Sequence, residues 1–380
     1  MKVLQLSKFY PPVMGGIESV AWELTEGLHH AGIECRVLCS NQAPGTVLER
    51  APSGYDVIRV GSWGRVLSTS MAPSMPWQLR QLAPRHDIVH VHMPDPMAAL
   101  ALLAAPAQAR VVVHWHSDVI RQRRTLKLYE PLQRWLLGRA SAIIATSPPY
   151  AESSAVLAPW RGKVRVIPIG ISDNRGSACS VQAAALRERF GRRRIVFALG
   201  RMTYYKGFDV LIEAAAALPE DCVVLIGGDG PLLEQFRAMV VARGLADKVH
   251  LLGHVPDHEL ESHFEACDIF CMSSTVRAEA YGVAMLEAMM MGKPAVASDI
   301  TGSGVPWVNR HGETGLNVPA GDAAALAGAL RRLVDDEPLR RRMGTEARKR
   351  YEDHFTAATM SAHVLDLYAS LLTPPKSSRP

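Results

Sequence analysis

The chain alternates short apolar runs with longer segments in which apolar residues follow a helical period. In the first 170 residues the apolar runs are VLQL (3–6), CRVLCS (35–40), DIVHVH (87–92), RVVVHW (110–115) and SAIIAT (141–146). Continuous apolar strands separated by helices are typical of a parallel sheet that is covered on both faces. This half therefore predicts a doubly wound, Rossmann-like α/β domain.

The second half of the chain restarts the same pattern. Its apolar runs are RIVFALG (194–200), CVVLIGG (222–228), VHLLG (249–253), DIFCMSS (268–274), PAVAS (294–298) and GLNVPA (315–320). We therefore predict an α/β fold class with two doubly wound Rossmann-like domains. Ligands of such sheets bind beyond the carboxyl ends of the strands, so we expect the two domains to face each other across a ligand-binding cleft.

The predicted boundaries follow a change in composition near the middle of the chain. RVIPIGISDNRGSACS (165–180) ends a strand and then becomes polar and glycine-bearing, which is typical of a linker. We predict an N-terminal domain over 1–170, a linker over 171–190 and a C-terminal domain over 191–355. A C-terminal helix over 356–372 is expected to pack back toward the first domain, and the polar tail after it is expected to be disordered.

Composition limits the cellular compartments and the classes of protein that fit this chain. The formal net charge is +5, and residues 1–175 carry 19 Lys and Arg against 12 Asp and Glu, which leaves −2 for the remainder. The six cysteines lack paired metal-ligand spacing and the density of a disulfide scaffold, which favours a reducing cytoplasm. MAALALLAAPAQA (97–109) is the most apolar run and is too short to span a bilayer. We expect a cytoplasmic protein.

The stretch RAEAYGVAMLEAMMM (277–291) places Glu279 in a polar run and Glu287 among apolar residues. Eight helical residues turn through about 800°, so two glutamates on one helix at this spacing would not share a face. We therefore predict that Glu279 precedes a helix that begins at 280–282 and contains Glu287. Gly292 is predicted to follow the last turn, and Pro294 prevents continuation.

In this arrangement Glu279 lies beside the N-terminus of a helix, where backbone N–H groups and the helix dipole favour an anion such as phosphate. One carboxylate would lie in front of the anion and the other one or two turns behind it. The alternative is a solvated loop glutamate and a separate surface glutamate. From this stretch alone the two interpretations are equally supported.

Two glycine-bearing loops follow the first strand of each predicted domain. PPVMGGIE places Gly15 and Gly16 before a helix, where glycine allows a phosphate or sugar to approach the backbone, although a tight turn also needs glycine. GRMTYYKGFD places Arg201 and Lys206 after a strand, where two cations can hold a diphosphate. The alternative for these two cations is surface solubility.

Other motifs exclude classes of site or add candidates. IGGDGPLLE (226–234) lacks the order of a dinucleotide-binding fingerprint, and the chain has no D-x-D to hold a metal against a diphosphate. We therefore expect no metal and no tightly bound cofactor. HWHSD (114–118) ends a buried-type strand, and there we favour His116 and Asp118 as site residues over His114, although a histidine at a strand end is often structural.

Taken together, PPVMGGIE, HWHSD, GRMTYYKG, IGGDGPL and the glutamates of E-AYGVAML-E resemble glycosyltransferase family 4, the retaining group 1 enzymes of the GT-B fold, over residues 1–372. The resemblance implies transfer of a hexose from a nucleotide diphosphate sugar, with retention and without metal. It makes 1–170 the acceptor-side domain and 191–355 the nucleotide-sugar-binding domain. It assigns Arg201 and Lys206 to the diphosphate, Glu287 to the ribose, and Glu279 and His116 to the transferred sugar. The implied catalytic residues are His116, Glu279, Arg201 and Lys206, and the implied donor-binding residues are Gly15, Gly16, Arg201, Lys206, Tyr281, Gly282 and Glu287.

The chain departs from the common pattern of that family in three places. Tyr281 replaces the usual phenylalanine, PIGIS (168–172) replaces a Pro-Asn-Gly stretch, and GSGVPWV (302–308) lacks the usual glutamate. These departures leave the nucleotide base and the sugar open. In the front-face mechanism of this family the leaving phosphate takes the acceptor proton, so Glu279 need not be a nucleophile.

The acceptor side is expected in the segment VIRQRRTLKLYEPLQRWLLGRA (119–140), which interleaves basic residues with Leu, Tyr and Trp. Such a surface can lie on anionic lipid, and the alternative is an ordinary solvated helix face. Asp118, Arg121, Arg123 and Arg124 are the acceptor- or membrane-side candidates. We expect peripheral contact with the inner face of the cell membrane.

HWHSD, the basic segment and ATSPPYAESS together resemble bacterial enzymes that build lipopolysaccharide O-chains. The resemblance favours mannosyl or rhamnosyl transfer from a GDP-sugar to a lipid-linked or polysaccharide acceptor. The alternatives are a non-catalytic nucleotide-sugar-binding protein and a UDP-sugar-dependent transferase with a small acceptor. The chain lacks the dinucleotide-binding fingerprint, which disfavours a nicotinamide dehydrogenase. It also lacks a recognisable nucleic-acid-binding module, so the excess of basic residues alone does not make nucleic acid an expected partner.

Overall fold

A computed structural model of the chain describes residues 1–13, 15–66, 69–105, 108–119, 123–173 and 177–373. The chain divides into two compact units, one of Met1–Ser172 together with the chain from Ala357, and the other of Asp173–Thr356. Each unit is built on its own mainly parallel sheet with helical connections. The predicted fold class, α/β with two doubly wound Rossmann-like domains, is confirmed.

The first unit contains an eight-stranded sheet and a separate two-stranded hairpin. Its strands are β1 (Lys2–Leu6), β2 (Glu34–Ser40), β3 (Val47–Arg50), β4 (Asp56–Val60), β5 (Arg65–Val66), β6 (Thr69–Ser70), β7 (Ile88–Met93), β8 (Arg110–Trp115), β9 (Ala142–Ala145) and β10 (Val164–Val166). The large sheet has the order β10-β9-β8-β7-β1-β2-β4-β3, and within it only β3 pairs antiparallel, with β4. Strands β5 and β6 form the hairpin.

The helices of this unit are α1 (Gly16–His30), α2 (Met75–Leu82), α3 (Pro96–Ala104), α4 (Arg123–Arg139) and α5 (Pro148–Ser153). Short 3-10 turns lie at Ala83–Arg85 and Ala158–Lys163. Strand β7 is buried along its whole length, as expected of a central parallel strand with helices on both faces. The five apolar runs of this half correspond to β1, β2, β7, β8 and β9.

The second unit contains a six-stranded, fully parallel sheet in the order β13-β12-β11-β14-β15-β16. Its strands are β11 (Arg194–Leu199), β12 (Cys222–Gly227), β13 (Val249–Gly253), β14 (Ile269–Met272), β15 (Ala295–Asp299) and β16 (Gly315–Pro319). Its helices are α6 (Ser177–Phe190), α7 (Phe208–Ala215), α8 (Leu233–Ala242), α9 (Asp257–Ala266), α10 (Val283–Met290), α11 (Val305–Val308), α12 (Ala323–Asp335) and α13 (Glu337–His354), with a 3-10 turn at Tyr204–Lys206. The last helix, α14 (Ala357–Leu372), belongs to the first unit.

The strand orders give each sheet one point at which the direction of winding reverses. In the first unit β1 lies between β2 and β7, and in the second β11 lies between β12 and β14. Loops at the carboxyl ends of strands diverge at such a point and leave a crevice that can hold a ligand. A ligand site of the second unit is therefore expected at the loops that follow β11 and β14.

The expected linker over 171–190 is wrong for most of its length, because α6 occupies Ser177–Phe190. The division falls between Ser172 and Asp173. The alanine-rich run after Val181 favours a helix, and α6 packs on α9, with Phe190 buried. Arg187 also donates to both carboxylate oxygens of Asp268, at 2.8 and 2.9 Å.

Helix α14 joins the first unit by packing on α1. A side chain at Gly27 of α1 would collide with the Ser361 hydroxyl oxygen, so glycine at this position permits the close approach of the two helices. Tyr368, near the other end of α14, is fully buried, and its hydroxyl lies 2.6 Å from Nδ1 of His90 on β7. The C-terminal helix is thus an integral part of the first unit's core.

Candidate active site

The loops after β11 and β14 in the second unit bring together a lysine and a glutamate that are 73 positions apart in the sequence. Nζ of Lys206 lies 2.5 Å from Oε2 of Glu279, and only 14% and 11% of the two side chains are exposed. The Ser274 hydroxyl donates to the same carboxylate oxygen at 3.1 Å. The structure therefore assembles a nearly buried, hydrogen-bonded ion pair at the winding reversal of this sheet.

Burial by itself would lower the pKa of Lys206, because it disfavours the charged ammonium. The charge and hydrogen bond of the adjacent Glu279 carboxylate, together with Tyr205, have the opposite effect and outweigh it, so the pKa of Lys206 lies above its ordinary value. Lys206 is therefore a permanent cation at physiological pH. A cation held in a poorly solvated loop can stabilise negative charge on a nearby group better than one in bulk water.

Backbone contacts fix the two loops against each other. The Ser273 hydroxyl donates to the Lys206 carbonyl at 3.0 Å, and the Thr275 N–H donates to the Tyr205 carbonyl at 2.8 Å. Gly207 has the left-handed φ of 63°, and a side chain there would collide with the Ser273 carbonyl. Only glycine meets both conditions, so the Lys206 backbone has a defined position before any ligand binds.

Helix α10 begins directly after Gly282, which has φ 88° and ψ 60°. The predicted start at 280–282 is therefore wrong, because this left-handed residue interrupts the helical backbone and α10 starts at Val283. The end is as predicted: Gly292 has φ 66°, and the Lys293 N–H donates to the Ala288 carbonyl at 2.9 Å. The Ser303 hydroxyl donates to the Glu279 carbonyl at 2.5 Å and holds the segment before α10.

Glu279 thus lies four residues before Val283, the first residue of α10, so it precedes the helix as predicted. The positive end of the helix dipole is on that side, which favours an anion there. Glu287 lies in the second turn of α10 and is half-buried. In the sequence, Glu279 therefore precedes the N-terminus of the helix and Glu287 follows it.

Arg201 and Tyr281 have different surroundings. Arg201 follows β11 and is exposed, so its guanidinium is accessible from solvent. The Tyr281 ring is buried and lies 6.5 Å from the Trp307 ring and 6.4 Å from the Phe355 ring, centre to centre. Gly282 is buried as well, so contact of either residue with a donor stays a prediction.

A glycine in the first of these loops makes room for the Lys206 side chain. A Cβ at Gly200 would lie 2.8 Å from Cε of Lys206, the flexible part of that side chain, and Gly200 does not have a left-handed backbone. Gly200→Ala should therefore move the ammonium while leaving the fold intact. We expect kcat to fall roughly tenfold to a hundredfold, since small displacements of a charged group strongly reduce turnover, with little change in the free energy of unfolding.

Steady-state kinetics and thermal unfolding of Gly200→Ala provide the check. Gly328→Ala is the matched control, because a Cβ at that position in α12 meets open space. Full activity in both variants would show that the position of Lys206 does not matter.

The predicted residues of the first unit lie at the carboxyl ends of β1 and β8. Gly15 is the extended residue before α1, with φ −172°, and a Cβ there would touch only the carboxylate of Glu18. A Cβ at Gly16 would meet open space. Packing within the described part of the unit therefore does not require glycine at position 16, and the assignment of Gly15 and Gly16 to the donor stays a prediction.

His116 directly follows β8 and is 6% exposed. Its Nε2 lies 3.0 Å from Nδ1 of His92, and its ring stacks on His114 with the ring centres 4.3 Å apart. Burial lowers the pKa of His116 well below its ordinary value, so the imidazole is neutral at physiological pH. Sequence analysis missed His92, although the alternation H-V-H in β7 is a visible signal.

The Asp118 carboxylate accepts from Nε1 of Trp115 and from the Ser154 hydroxyl, each at 2.9 Å. Its backbone N–H donates to the Tyr150 hydroxyl at 2.5 Å. Asp118 therefore fastens the loop after β8 to α5. Its predicted place on the acceptor side stays a prediction, and the structure adds an anchoring role.

The basic candidates fall largely outside what the structure describes. Arg121 lies outside the described residues, and the side chains of Arg123 and Arg124 lie outside them as well. Ser274 and Ser303 are further site residues that sequence analysis missed. A serine pair directly after the buried strand β14 was an available signal for Ser274, whereas nothing in the sequence connects Ser303 with Glu279.

Among the described residues, no helix is long and apolar enough to cross a membrane. The same part of the chain contains one group of three side chains that could hold a metal ion, His90, His92 and His114, and it is fully buried in the first unit. The expectation that the enzyme needs no metal stays a prediction.

Comparison with known proteins gives matches over both units. Residues 185–350 match the family described as "Glycosyl transferases group 1", and residues 15–170 match "Glycosyl transferase 4-like domain". The chain is 33% identical over 378 residues to O-antigen chain mannosyltransferase C of Escherichia coli, covering 98% of this chain and 99% of that one. It is 36% identical over 360 residues to D-rhamnosyltransferase WbpZ of Pseudomonas aeruginosa, covering 94% and 93%.

Solved structures show the same architecture. Anabaena Alr3699/HepE in complex with UDP and glucose matches with a TM-score of 0.76 at 20% identity, over 97% of this chain and all of that one. At this identity the likeness shows the fold alone. The similarity in sequence to the two relatives above extends over nearly the full length of the chain.

Proposed function

Because this chain belongs to the group 1 glycosyltransferases and has their GT-B fold, it is a hexosyltransferase, and we propose that it transfers a mannose- or rhamnose-type sugar from a GDP-sugar to a lipid-linked glycan. The transfer retains the anomeric configuration and needs no metal. The product belongs to bacterial cell-surface glycan synthesis, as in lipopolysaccharide O-chains. The printed activities of the two relatives support the sugar, and the observation that carries the proposal is the Lys206–Glu279 pair before α10.

In the proposed mechanism Lys206 and Arg201 bind the donor diphosphate. The ammonium is held in a poorly solvated loop with a fixed backbone, so it stabilises the charge that develops on the leaving diphosphate without reorganising. The N-terminal end of α10 adds its dipole to the same phosphates. These groups replace the divalent cation that other transferases use to neutralise a diphosphate.

Glu279 orients the transferred sugar through its carboxylate, which Ser274 and Lys206 hold in place. Glu287 accepts hydrogen bonds from the ribose hydroxyls, and the backbone at Gly15, Gly16, Tyr281 and Gly282 approaches the donor. His116 contacts the transferred sugar. Glu279 is already paired with a cation, which suits an orienting carboxylate better than a free nucleophile, so the leaving phosphate takes the acceptor proton.

The nucleotide base can be tested by ligand-dependent stabilisation. GDP at 100 times its dissociation constant should raise the free energy of unfolding by about 2.7 kcal/mol, and UDP or ADP at the same concentration should raise it less. Thermal unfolding of the full chain with each nucleotide measures this directly. A larger shift with UDP than with GDP would replace the proposed donor by a UDP-sugar.

The lipid-linked acceptor requires contact with a membrane, and the first unit offers a surface with suitable chemistry. Helix α3 contacts both α2 and α4. These helices and the segment before α2 expose large apolar side chains, here called the apolar surface: Trp63, Trp77, Leu100, Leu103 and Leu128. Trp63, in the loop after β4, and Leu128, on α4, are 79% and 84% exposed, and apolar patches on a protein surface often mark sites of contact with a membrane or a partner.

Charge on the same part of the chain favours anionic lipid. Residues 57–86 contain four arginines and no Asp or Glu. Tryptophan prefers the boundary between lipid headgroups and acyl chains, and each nearby Lys or Arg contributes about 1 kcal/mol of attraction to an anionic surface. The apolar surface and the basic segment 119–140 together favour peripheral binding.

Binding to vesicles should therefore depend on both salt and apolar contact. At low salt the wild-type protein should co-sediment with anionic vesicles and not with neutral ones. Raising the salt should release it, since screening over a Debye length of about 10 Å at 0.1 M removes the attraction. Arg121→Glu/Arg123→Glu/Arg124→Glu and, separately, Trp63→Ser/Trp77→Ser should both lose binding.

The matched control carries the same change of charge on the other unit, as Arg332→Glu/Arg342→Glu/Lys349→Glu, at exposed positions. It should bind vesicles like the wild type. If the wild type fails to bind at low salt, or if the arginine variant binds normally, segment 119–140 is an ordinary solvated face.

A further inference from the structure

Four histidines on two neighbouring strands of the first unit form a buried group with defined hydrogen bonds. His90 and His92 lie on β7, His114 lies on β8, and His116 directly follows β8. The first three are at most 1% exposed, and His116 is 6% exposed. A group of this size in a sheet core needs a reason, because buried imidazoles must find hydrogen-bond partners.

The group has the donor set of a transition-metal site, since ring nitrogens of His90, His92 and His114 all lie within 4.8 Å of one another. Its nitrogens are, however, largely committed to protein partners. Nδ1 of His90 lies 2.6 Å from the Tyr368 hydroxyl, and both nitrogens of His92 have hydrogen-bond partners. A metal would have to break these contacts, so the geometry favours a hydrogen-bond network.

The network contains two chains of contacts, and a side-chain interaction between Tyr368 and Gln5 links them. One runs from Tyr368 to His90 and on to His114, with 3.3 Å between Nε2 of His90 and Nδ1 of His114. The other runs from Gln5 on β1 to His92 and on to His116. Its distances are 3.2 Å from Oε1 of Gln5 to Nε2 of His92 and 3.0 Å from Nδ1 of His92 to Nε2 of His116.

The second chain fixes where the protons lie. The amide oxygen of Gln5 can only accept, so Nε2 of His92 must donate to it. Burial lowers the pKa of both His92 and His116 well below the ordinary value, so each ring is neutral and carries a single N–H. Nδ1 of His92 is therefore an acceptor, and Nε2 of His116 must be the N–H that donates to it.

We infer that Gln5 and His92 are positioning residues that hold His116 in the tautomer protonated at Nε2, so that Nδ1 remains a hydrogen-bond acceptor. This inference rests on the proposed function in assigning His116 to the transferred sugar. An acceptor nitrogen selects a hydroxyl group, which can donate, over a phosphate oxygen, which cannot. The network thus defines His116 as a group that binds a sugar hydroxyl.

The tautomer can be measured without any activity assay. In the enzyme with ¹⁵N-labelled histidine, long-range ¹H–¹⁵N correlation distinguishes a protonated ring nitrogen from an unprotonated one, and His116→Asn assigns the signals. We expect Nδ1 of His116 to be unprotonated in the wild type. Gln5→Met keeps the volume but removes the acceptor, so it should give a mixture of tautomers and lower kcat up to about tenfold, the effect of one neutral hydrogen bond, with little change in KM for the donor.

Thr25→Val is the matched control, since it removes an equally buried hydrogen bond elsewhere in the first unit. It should leave the His116 tautomer and kcat unchanged. A proton on Nδ1 of His116 in the wild type, or an unchanged tautomer in Gln5→Met, would overturn the inference. If instead the tautomer is as expected but His116→Asn remains fully active, the positioning holds and the proposed contact of His116 with the sugar fails.

Discussion

Lys206→Ala should lower kcat by a factor of about a hundred to a thousand, the usual effect of removing one preorganised group that stabilises developing charge. The ammonium is nearly buried and its pKa is raised, so the wild-type enzyme holds a full positive charge in a poorly solvated place, and alanine removes that charge. KM for the acceptor should change little, because the lysine acts on the leaving diphosphate. Arg201→Ala should act in the same direction, and less strongly, since Arg201 is exposed.

Steady-state kinetics of the purified variants measure this effect, and a second buried lysine in the same unit supplies the control. Nζ of Lys248 lies 2.8 Å from Glu220, and 10% of the Lys248 side chain is exposed, close to the value for Lys206. Lys248→Ala should reduce stability without reducing kcat. Unchanged turnover in both Lys206→Ala and Arg201→Ala would remove the assignment of these cations to the diphosphate.

The two glutamates should differ in which kinetic constant they change. Glu279→Ala should chiefly lower kcat, because the carboxylate orients the reacting sugar and its loss also frees Lys206. Glu287→Ala should chiefly raise the apparent KM for the donor, because a contact to the ribose is the same in the ground state and the transition state. We expect at least a hundredfold loss of kcat for Glu279→Ala, on the order of other electrostatic groups.

Glu279→Gln is the conservative variant for this comparison, since an amide oxygen can still accept from Ser274 while the charge is lost. A kcat between those of the wild type and Glu279→Ala would show that the carboxylate contributes both by orienting the sugar and by its charge. Equal changes of kcat and KM in Glu279→Ala and Glu287→Ala would refute the division of labour between the two residues.

Much of the fold was predictable because buried parallel strands are continuous apolar runs. The runs in both halves correspond to the central strands of the two sheets. Strands β3 and β4 escaped prediction. Only two of the four residues of β3 are apolar, and all four are exposed at the edge of the sheet, while Asp56 and Arg59 interrupt the apolar run of β4. Helix α6 was mistaken for part of a linker because its polar start follows a glycine-bearing segment.

The site was predictable as a list of residues but not as an arrangement. The spacing of Glu279 and Glu287 correctly placed one before a helix and the other within it. The contact between Lys206 and Glu279 depends on β11 and β14 being neighbours, which only the strand order determines. The start of α10 was missed for a similar reason, since the left-handed Gly282 is packed against Met272 of β14, and a Cβ there would lie 2.7 Å from its sulfur.

Some surroundings of the site depend on contacts between distant segments and so have no local signal. Tyr281 packs against Phe355, which is far along the chain. The ring of His116 is held by His92, and His92 by Gln5, through contacts that span three strands. Sequence patterns indicate that these residues are buried or lie at strand ends, and the packing of the strands decides which of them meet.

The most direct test of the proposed activity is the configuration of the sugar in the product. The purified full-length enzyme would be incubated with GDP-mannose, GDP-rhamnose or the corresponding UDP-sugars and a panel of lipid-linked glycans, in the presence of EDTA. The one-bond C1–H1 coupling of the new linkage then gives its anomeric configuration. We expect transfer from a GDP-sugar with the donor's configuration retained; an inverted linkage, or transfer that only Mg²⁺ or Mn²⁺ restores, would contradict the account.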